Sequence, residues 1–442
     1  MNAGLAYTVD LIQKGLTLFV QPFLSTFCPQ DNQRKVKSMA TGKALDGKPY
    51  AGNPHVRFDE GEVAPAAKPR RGSLLYDAEK TQRLLSLDAL RGFDMLFIMG
   101  LATIVTGLCE GFGFGGGCWL AQQMHHVKWH GFAQRDTIFP LFLFIAGVAF
   151  PYSFAKMRDR GWSNRRICGR IAWRAFLLVM LGMVYNGLFN VGFGSVRWAS
   201  VLARIGLGWA GAALLYMALP VRPRIAVAAG ILVGYWAAMR FAAVPGAPAG
   251  ADPWSVEWNF AAYIDKLLLP NAKGGDPEGL LSTAPAVATA MLGMFTGEFV
   301  RFKGRLGGGG KTLAMLAAAA AMLAIGLVWS NWMPINKKLW SSTFVLAAGS
   351  YSLALFAAFY WIVDVKMWRG WTFFLRVVGM NAITVYLMQR VVDFDAVSKF
   401  FLGGLAGLLP KGFGTALISS GHLAACWLIL WFLYRKNVFL KV

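Results

Sequence analysis

The sequence predicts an all-α, polytopic integral membrane protein of about ten transmembrane helices with both termini in the cytoplasm. Three observations lead there. The chain is 56% hydrophobic with a mean hydropathy of +0.47. Its apolar runs repeatedly reach about 18 residues or more, the length that crosses a hydrocarbon core. Positive charge is spread unevenly over the connections between those runs, as membrane topology requires. The net charge of +22 does not mark a nucleic-acid binder, because the lysines and arginines stand in short clusters between apolar runs rather than along one soluble face.

In chain order the runs fall at about 92–108, 136–155, 172–190, 201–219, 225–239, 282–300, 312–329, 341–363, 372–389 and 414–434. With the N-terminal tail inside, 32 of the 44 lysines and arginines lie on the tail and the inner connections, and 12 lie on outer connections that are about twice as long as the inner ones. The positive-inside rule then turns the loop "HHVKWHG" (125–131) outward. The chain divides into an N-terminal cytoplasmic tail, 1–80, and a transmembrane domain, 81–442. The tail is polar, dotted with Gly and Pro and without apolar periodicity, which predicts disorder. Its stretch "LIQKGLTLFVQPFLSTF" is too short and interrupted for a span and fits an interfacial helix.

Several chemistries are excluded by pattern. No phosphate-binding Walker loop, dinucleotide fingerprint or nucleophile elbow stands where a strand and helix would support it, and "GFGFGGG" (111–117) belongs to an outer loop. Five cysteines without paired spacing do not form a metal ribbon. Cys109 and Cys118 share the first outer loop, and two readings stay open for them: a disulfide in an oxidising compartment, or two small buried apolar residues.

Polar groups at or inside the spans carry the information, since charge is costly there. In "RLLSLDALRGFDML", Asp88, Arg91 and Asp94 recur every three residues and can line one helical face, as a binding site or as an inner-face ion pair. In the outer loop His125, His126, Trp129 and His130 precede Asp136, and a carboxylate beside an imidazole suits a general base near neutral pH. His126 and His130 have the spacing of two metal ligands on a helix, but one carboxylate and no third ligand leave no metal expected. Arg204 enters the apolar run of "VRWASVLARIG", with Arg197 just outside, as a snorkelling cation or a ligand contact. Asp276 and Glu278 in "GDPEGLLSTAPAVATAMLG", and Lys337, Lys338 and Trp340 in "PINKKLW", stand outside. Asn381 of "VGMNAITVYL" is buried in a span, where it can also simply join helices by a hydrogen bond.

The segments "SLDALRGFDM", "HHVKWHGFAQRDTIFPLFLFIAG", "VLARIG", "DPEGLLSTAPA", "PINKKLWSSTFVL" and "VGMNAITVYL", in that order, resemble the heparan-alpha-glucosaminide N-acetyltransferase family of the transmembrane acyltransferase superfamily. The resemblance covers nearly everything after residue 83. It implies transfer of an acetyl group from cytoplasmic acetyl-CoA to the amine of a glucosamine unit across the membrane, and a homodimer. The family histidine precedes a Trp by three residues and an Asp by ten, which places His126, with Trp129 and Asp136, in the catalytic register rather than His125. Where the family more often has Gly-Val-Leu-Gln-Arg, this chain has Ser200-Val201-Leu202-Ala203-Arg204, so it lacks that glutamine and its hydrogen bond and keeps the arginine.

These readings assign catalysis to His126, Asp136 and Asn381, and acetyl-CoA binding to Asp88, Arg91, Asp94 and Arg204, with Arg165, Arg166 and Arg170 as weaker candidates. Binding of a glucosamine-terminated acceptor falls to Trp129, Asp276, Glu278 and Trp340. The expected partners are an amino sugar and membrane lipids, not nucleic acid, and the Ala- and Gly-rich composition points to a bacterial inner membrane. Two other functions share the pattern: O-acetylation of envelope glycans, and transport of amino sugars without acetyl transfer.

Overall fold

A computed structural model of the protein describes residues 84–114, 117–269 and 278–440. The tail, its interfacial-helix candidate and Asp276 lie outside the described residues. Helices dominate the rest, as the apolar periodicity requires, and no strand occurs among the described residues.

Among the described residues, eight helices are long and apolar enough to cross a membrane. They are α1 (Leu85–Gly111), α3 (Gln134–Asp159), α4 (Asn164–Tyr185), α5 (Val201–Ala218), α6 (Val221–Phe241), α9 (Gly308–Trp329), α10 (Ser342–Val365) and α14 (Lys411–Arg435). Between them lie the less apolar α8 (Thr283–Arg301) and the shorter α2 (Trp119–Gln123), α7 (Phe260–Leu268), α11 (Thr372–Met380), α12 (Ala382–Val391) and α13 (Phe394–Gly407).

Two of the ten expected spans differ. The run at 282–300 forms α8, a 19-residue helix. It carries Thr289, Thr296 and Glu298 and is tolerated as less apolar because its Pro285, Ala286, Ala288, Thr289, Ala290 and Met291 are buried among other helices. The run at 372–389 is broken at Asn381, whose φ of −124° and ψ of 32° end α11 and start α12. α1 is also irregular. A π-helical stretch at Phe97–Leu101 contains Gly100 at φ 119°, a left-handed conformation that a side chain would strain.

The core is built on α3. Leu141, Phe144, Ile145 and Val148 of α3 pack with Leu87 and Leu90 of α1 and with Phe356 of α10. Against α8, α3 approaches so closely that a Cβ placed on Gly147 would stand 2.2 Å from the Ala290 carbonyl oxygen. The first turn of α3 carries Asp136, so this contact fixes the helix that presents the carboxylate.

Gly147→Ala is expected to force α3 from α8 and to destabilise the protein by about 1–3 kcal/mol, the usual cost of overpacking. Gly230→Ala, on an open face of α6 with nothing within 4 Å, is expected to be neutral or mildly stabilising. Thermal unfolding of both variants in detergent compares the two.

Candidate active site

The chain enters α3 through Ala133, in extended conformation, and turns at once into helix. Asp136 therefore sits in the first turn, where the helix dipole favours a carboxylate. Its side chain is 3% exposed, so its oxygens depend on protein donors, and three reach them. His126 Nδ1 lies 2.7 Å from Oδ1, Lys337 Nζ donates to the same oxygen at 3.2 Å, and the Val127 amide donates to Oδ2 at 3.2 Å. Nδ1–H of His126 thus points at Asp136, which leaves the lone pair on Nε2, and the His126 side chain is 53% exposed. Lys337 Nζ also stands 3.3 Å from His126 Nδ1. An imidazole held by a buried carboxylate, with its second nitrogen open, is the arrangement of a general base or an acyl acceptor.

Two loops create this geometry. The histidine loop is anchored to α3 by the Gln134 amide donating to Gln123 Oε1 at 3.0 Å and by Arg135 donating to the Met124 carbonyl at 2.9 Å. The loop that ends at Trp340 winds around Asn336, which is wholly buried. The Asn336 amide donates to Ser341 Oγ at 3.0 Å and its Oδ1 accepts from the Leu339 amide at 2.9 Å. The Gly131 amide, donating to the Ile335 carbonyl at 2.8 Å, and the 3.3 Å contact of Asn336 Nδ2 with His130 Nδ1 join the two loops. Lys337 is thereby placed over Asp136. Burial pushes its ammonium below the ordinary lysine range, and the nearby Asp136 carboxylate only partly offsets this.

Below the site runs a cavity of about 290 Å³. Ile138, Phe139, Phe142 and Ala146 line it along α3, so it begins within one turn of Asp136 and extends for roughly 12 Å of helix. Met95, Ile98, Leu178, Ile205 and Tyr386 make its walls apolar. Arg91 and Arg174 supply the charge. Arg91 and Arg174 are close enough to repel each other, and they belong to the end remote from Asp136, since the Trp209 ring beneath Arg174 packs 5.6 Å from Phe150 of α3. Arg174 lies over the Trp209 ring, 4.2 Å from its centroid, and its buried Nε has no hydrogen-bond partner among the described residues.

The candidate residues do not all meet at one place. Asp88 and Arg91 are together at 3.5 Å. Asp94 is buried beside them, does not line the cavity and has one oxygen without a partner. Arg204 is elsewhere: it donates to Ser282 Oγ and, at 3.4 Å, to the Gly279 carbonyl, stacks 5.0 Å from the Trp340 ring, and has a buried Nε without a partner among the described residues. Glu278 is bound to Arg197 at 2.5 Å.

Trp340, expected as an aromatic platform for a sugar, is fully buried. Its φ of 50° turns the indole inward, where it packs on Phe139 and donates to Thr289 Oγ1 at 3.2 Å. Trp129 is partly exposed, donates to the Trp254 carbonyl at 2.7 Å and has the Lys338 ammonium 5.5 Å from its ring. Asn381 is apart from His126. It donates to the Val438 carbonyl at 3.2 Å at the helix break, between cavity-lining Met380 and Ala382. Arg165, Arg166 and Arg170 are absent from the cavity lining, and Arg166 and Arg170 lie over the Trp162 ring instead. Lys337 and Arg174 carry no role in the sequence reading. The motif "PINKKLW" pointed to the loop of the first, while the second was hidden in the arginine-rich start of α4. No group of His, Cys, Asp and Glu suited to a metal occurs among the described residues.

No protein-family model matches the chain. Among curated proteins, it is 28% identical over 417 residues to the heparan-alpha-glucosaminide N-acetyltransferase of Homo sapiens, across 81% of this chain and 60% of that protein. The Mus musculus protein of the same name is 28% identical over 436 residues, across 84% of this chain and 63% of the relative. The chain is thus similar, over about four fifths of its length, to heparan-alpha-glucosaminide N-acetyltransferases. It spans less than two thirds of the length of these relatives.

The interdependence of Asp136 and Lys337 is open to a double-mutant cycle. Asp136→Asn leaves the partly buried Lys337 ammonium without its carboxylate and is expected to cost about 1–3 kcal/mol, the scale of a lost hydrogen bond to a charged group. Adding Lys337→Met is expected to recover part of that loss, with a coupling of about 1–3 kcal/mol. In Asp136→Asn alone, the folded state holds the Lys337 proton less tightly than the unfolded chain does, so the deficit should shrink as pH rises toward the ordinary lysine range. Melting curves of the four proteins across pH supply the test.

Proposed function

We propose that this protein transfers an acetyl group from acetyl-CoA on the cytoplasmic side to the amino group of a glucosamine-type sugar on the opposite, periplasmic side. The observation that supports this most is the His126–Asp136–Lys337 cluster within one helical turn of an apolar cavity with two arginines. The names of the relatives supply the reaction class.

Each part has a task in that reaction. The cavity is at the small end of ligand pockets, which start near roughly 300 Å³. It suits a pantetheine arm and not the whole nucleotide. Arg91 and Arg174 at the remote end offer charge-assisted hydrogen bonds to phosphate oxygens, and the unpartnered Arg174 Nε is a donor that such an anion would satisfy. The thioester then lies toward Asp136.

His126 Nε2 takes the proton from the attacking amine, the new N–C bond forms as the C–S bond breaks, and the same proton passes to the departing sulfur. If the imidazole first accepts the acetyl group, the same nitrogen serves. Asp136 holds the ring and supports its positive charge, and Lys337 limits the charge that Asp136 places on the ring. Trp129 and Lys338 border the acceptor side. Glu278, bound to Arg197, shapes that rim rather than meeting a sugar ammonium alone.

His126→Ala is expected to keep its fold and its affinity for acetyl-CoA, because the side chain is half exposed, and to lose at least about two orders of magnitude in turnover. His125→Ala and His130→Ala should lose far less. Turnover with glucosamine and acetyl-CoA, alongside direct binding of acetyl-CoA, checks this. A dead His125→Ala with an active His126→Ala would refute the assignment.

A further inference from the structure

Cys109 stands in the last helical turns of α1 and Cys118 immediately before α2. Their sulfur atoms are 2.7 Å apart. That is nearer than two sulfurs merely in contact, and under ~1 Å beyond the S–S bond length of about 2.05 Å. The two thiols are not equivalent. Cys109 is buried and Cys118 is partly exposed. Donation from the Cys109 thiol, and then from the Ala121 amide, pulls the Cys118 thiol below the ordinary cysteine range, which favours Cys118 as the thiolate that meets an external reagent.

The backbone on either side is held. The Phe114 amide donates to the Cys109 carbonyl at 2.9 Å and the Gln122 amide to the Cys118 carbonyl at 3.0 Å. Lys411 of α14 pairs with Glu110 at 3.8 Å, and Phe413 packs on Phe112. The Cys118 side leads through α2 to Gln123, whose Oε1 receives the Gln134 amide at the start of α3. Only two residues separate Gln123 from His126.

We propose that Cys109 and Cys118 are a redox pair that exchanges with a disulfide-bearing oxidant, and that their bond anchors the segment that delivers His126. The Cys118 thiolate attacks the oxidant disulfide, forms a mixed disulfide and releases one thiolate. Cys109 then loses its proton and attacks Cys118 Sγ, which displaces the second thiolate. The pair gives up two electrons and two protons, and the oxidant leaves as a dithiol. Formation of the bond in the cell rests on the reading that the His126 end faces an oxidising compartment. Formation of the bond by the isolated protein does not.

The test uses the full chain, purified in detergent, with thiols alkylated before and after equilibration with oxidised glutathione. No lysine or arginine lies between Arg91 and Lys128, so one tryptic peptide holds both cysteines. After glutathione, that peptide is expected to be lighter by two hydrogens and closed to alkylation, while Cys109→Ser retains a glutathione adduct on Cys118. The linked protein should melt higher than Cys109→Ser. Two alkylatable thiols after glutathione, or a wild-type Cys118 that keeps the adduct, would overturn the proposal. A bond that appears only after glutathione is added upholds the pair and counts against the sidedness alone.

Discussion

A carboxylate buried at the beginning of α3 organises this protein. Asp136 is almost without solvent contact, and a charge in that position is tolerable only if donors replace the lost water. Three do so, from two loops far apart in sequence. Once Asp136 requires them, the histidine loop must fold back onto α3 and the Asn336 loop must bring Lys337 across. The close packing of α3 on α8 at Gly147 holds the carboxylate still while both loops converge.

The same requirement explains how polarity is distributed around the cavity. Its walls are apolar for most of its length, and cations stand at its remote end in Arg91 and Arg174. Arg204 resembles them in sequence but not in surroundings. Its bonds to Ser282 and Gly279 and its stacking on Trp340 tie the start of α5 to the start of α8, so it braces the mouth. The buried Nε of each arginine lacks a partner among the described residues, but only Arg174 lines the cavity.

Much of the fold was legible because long apolar runs leave a chain few alternatives to membrane helices. Hydropathy alone could not show that α8 is buried by its neighbours or that Asn381 divides one run into two helices. At the site, His126 and Asp136 were readable as a pair because they are ten residues apart on one loop and helix start. Lys337 was not, since it reaches Asp136 across 201 positions and two adjacent lysines in a loop look like solvated charge. Trp340 was misplaced for a related reason: an aromatic beside lysines suggests a platform, and only its backbone turn and the pocket formed by Phe139 and Thr289 show that it faces inward.

The central claim is that the cluster at Asp136 moves an acetyl group onto nitrogen. Its most direct test incubates the purified protein with isotopically acetyl-labelled acetyl-CoA and glucosamine, and locates the label in the sugar by mass spectrometry. The account predicts label on the amine with the wild-type protein and none above background with His126→Ala. Label on a hydroxyl, or an unlabelled sugar carried across a vesicle membrane by the wild-type protein, would contradict it.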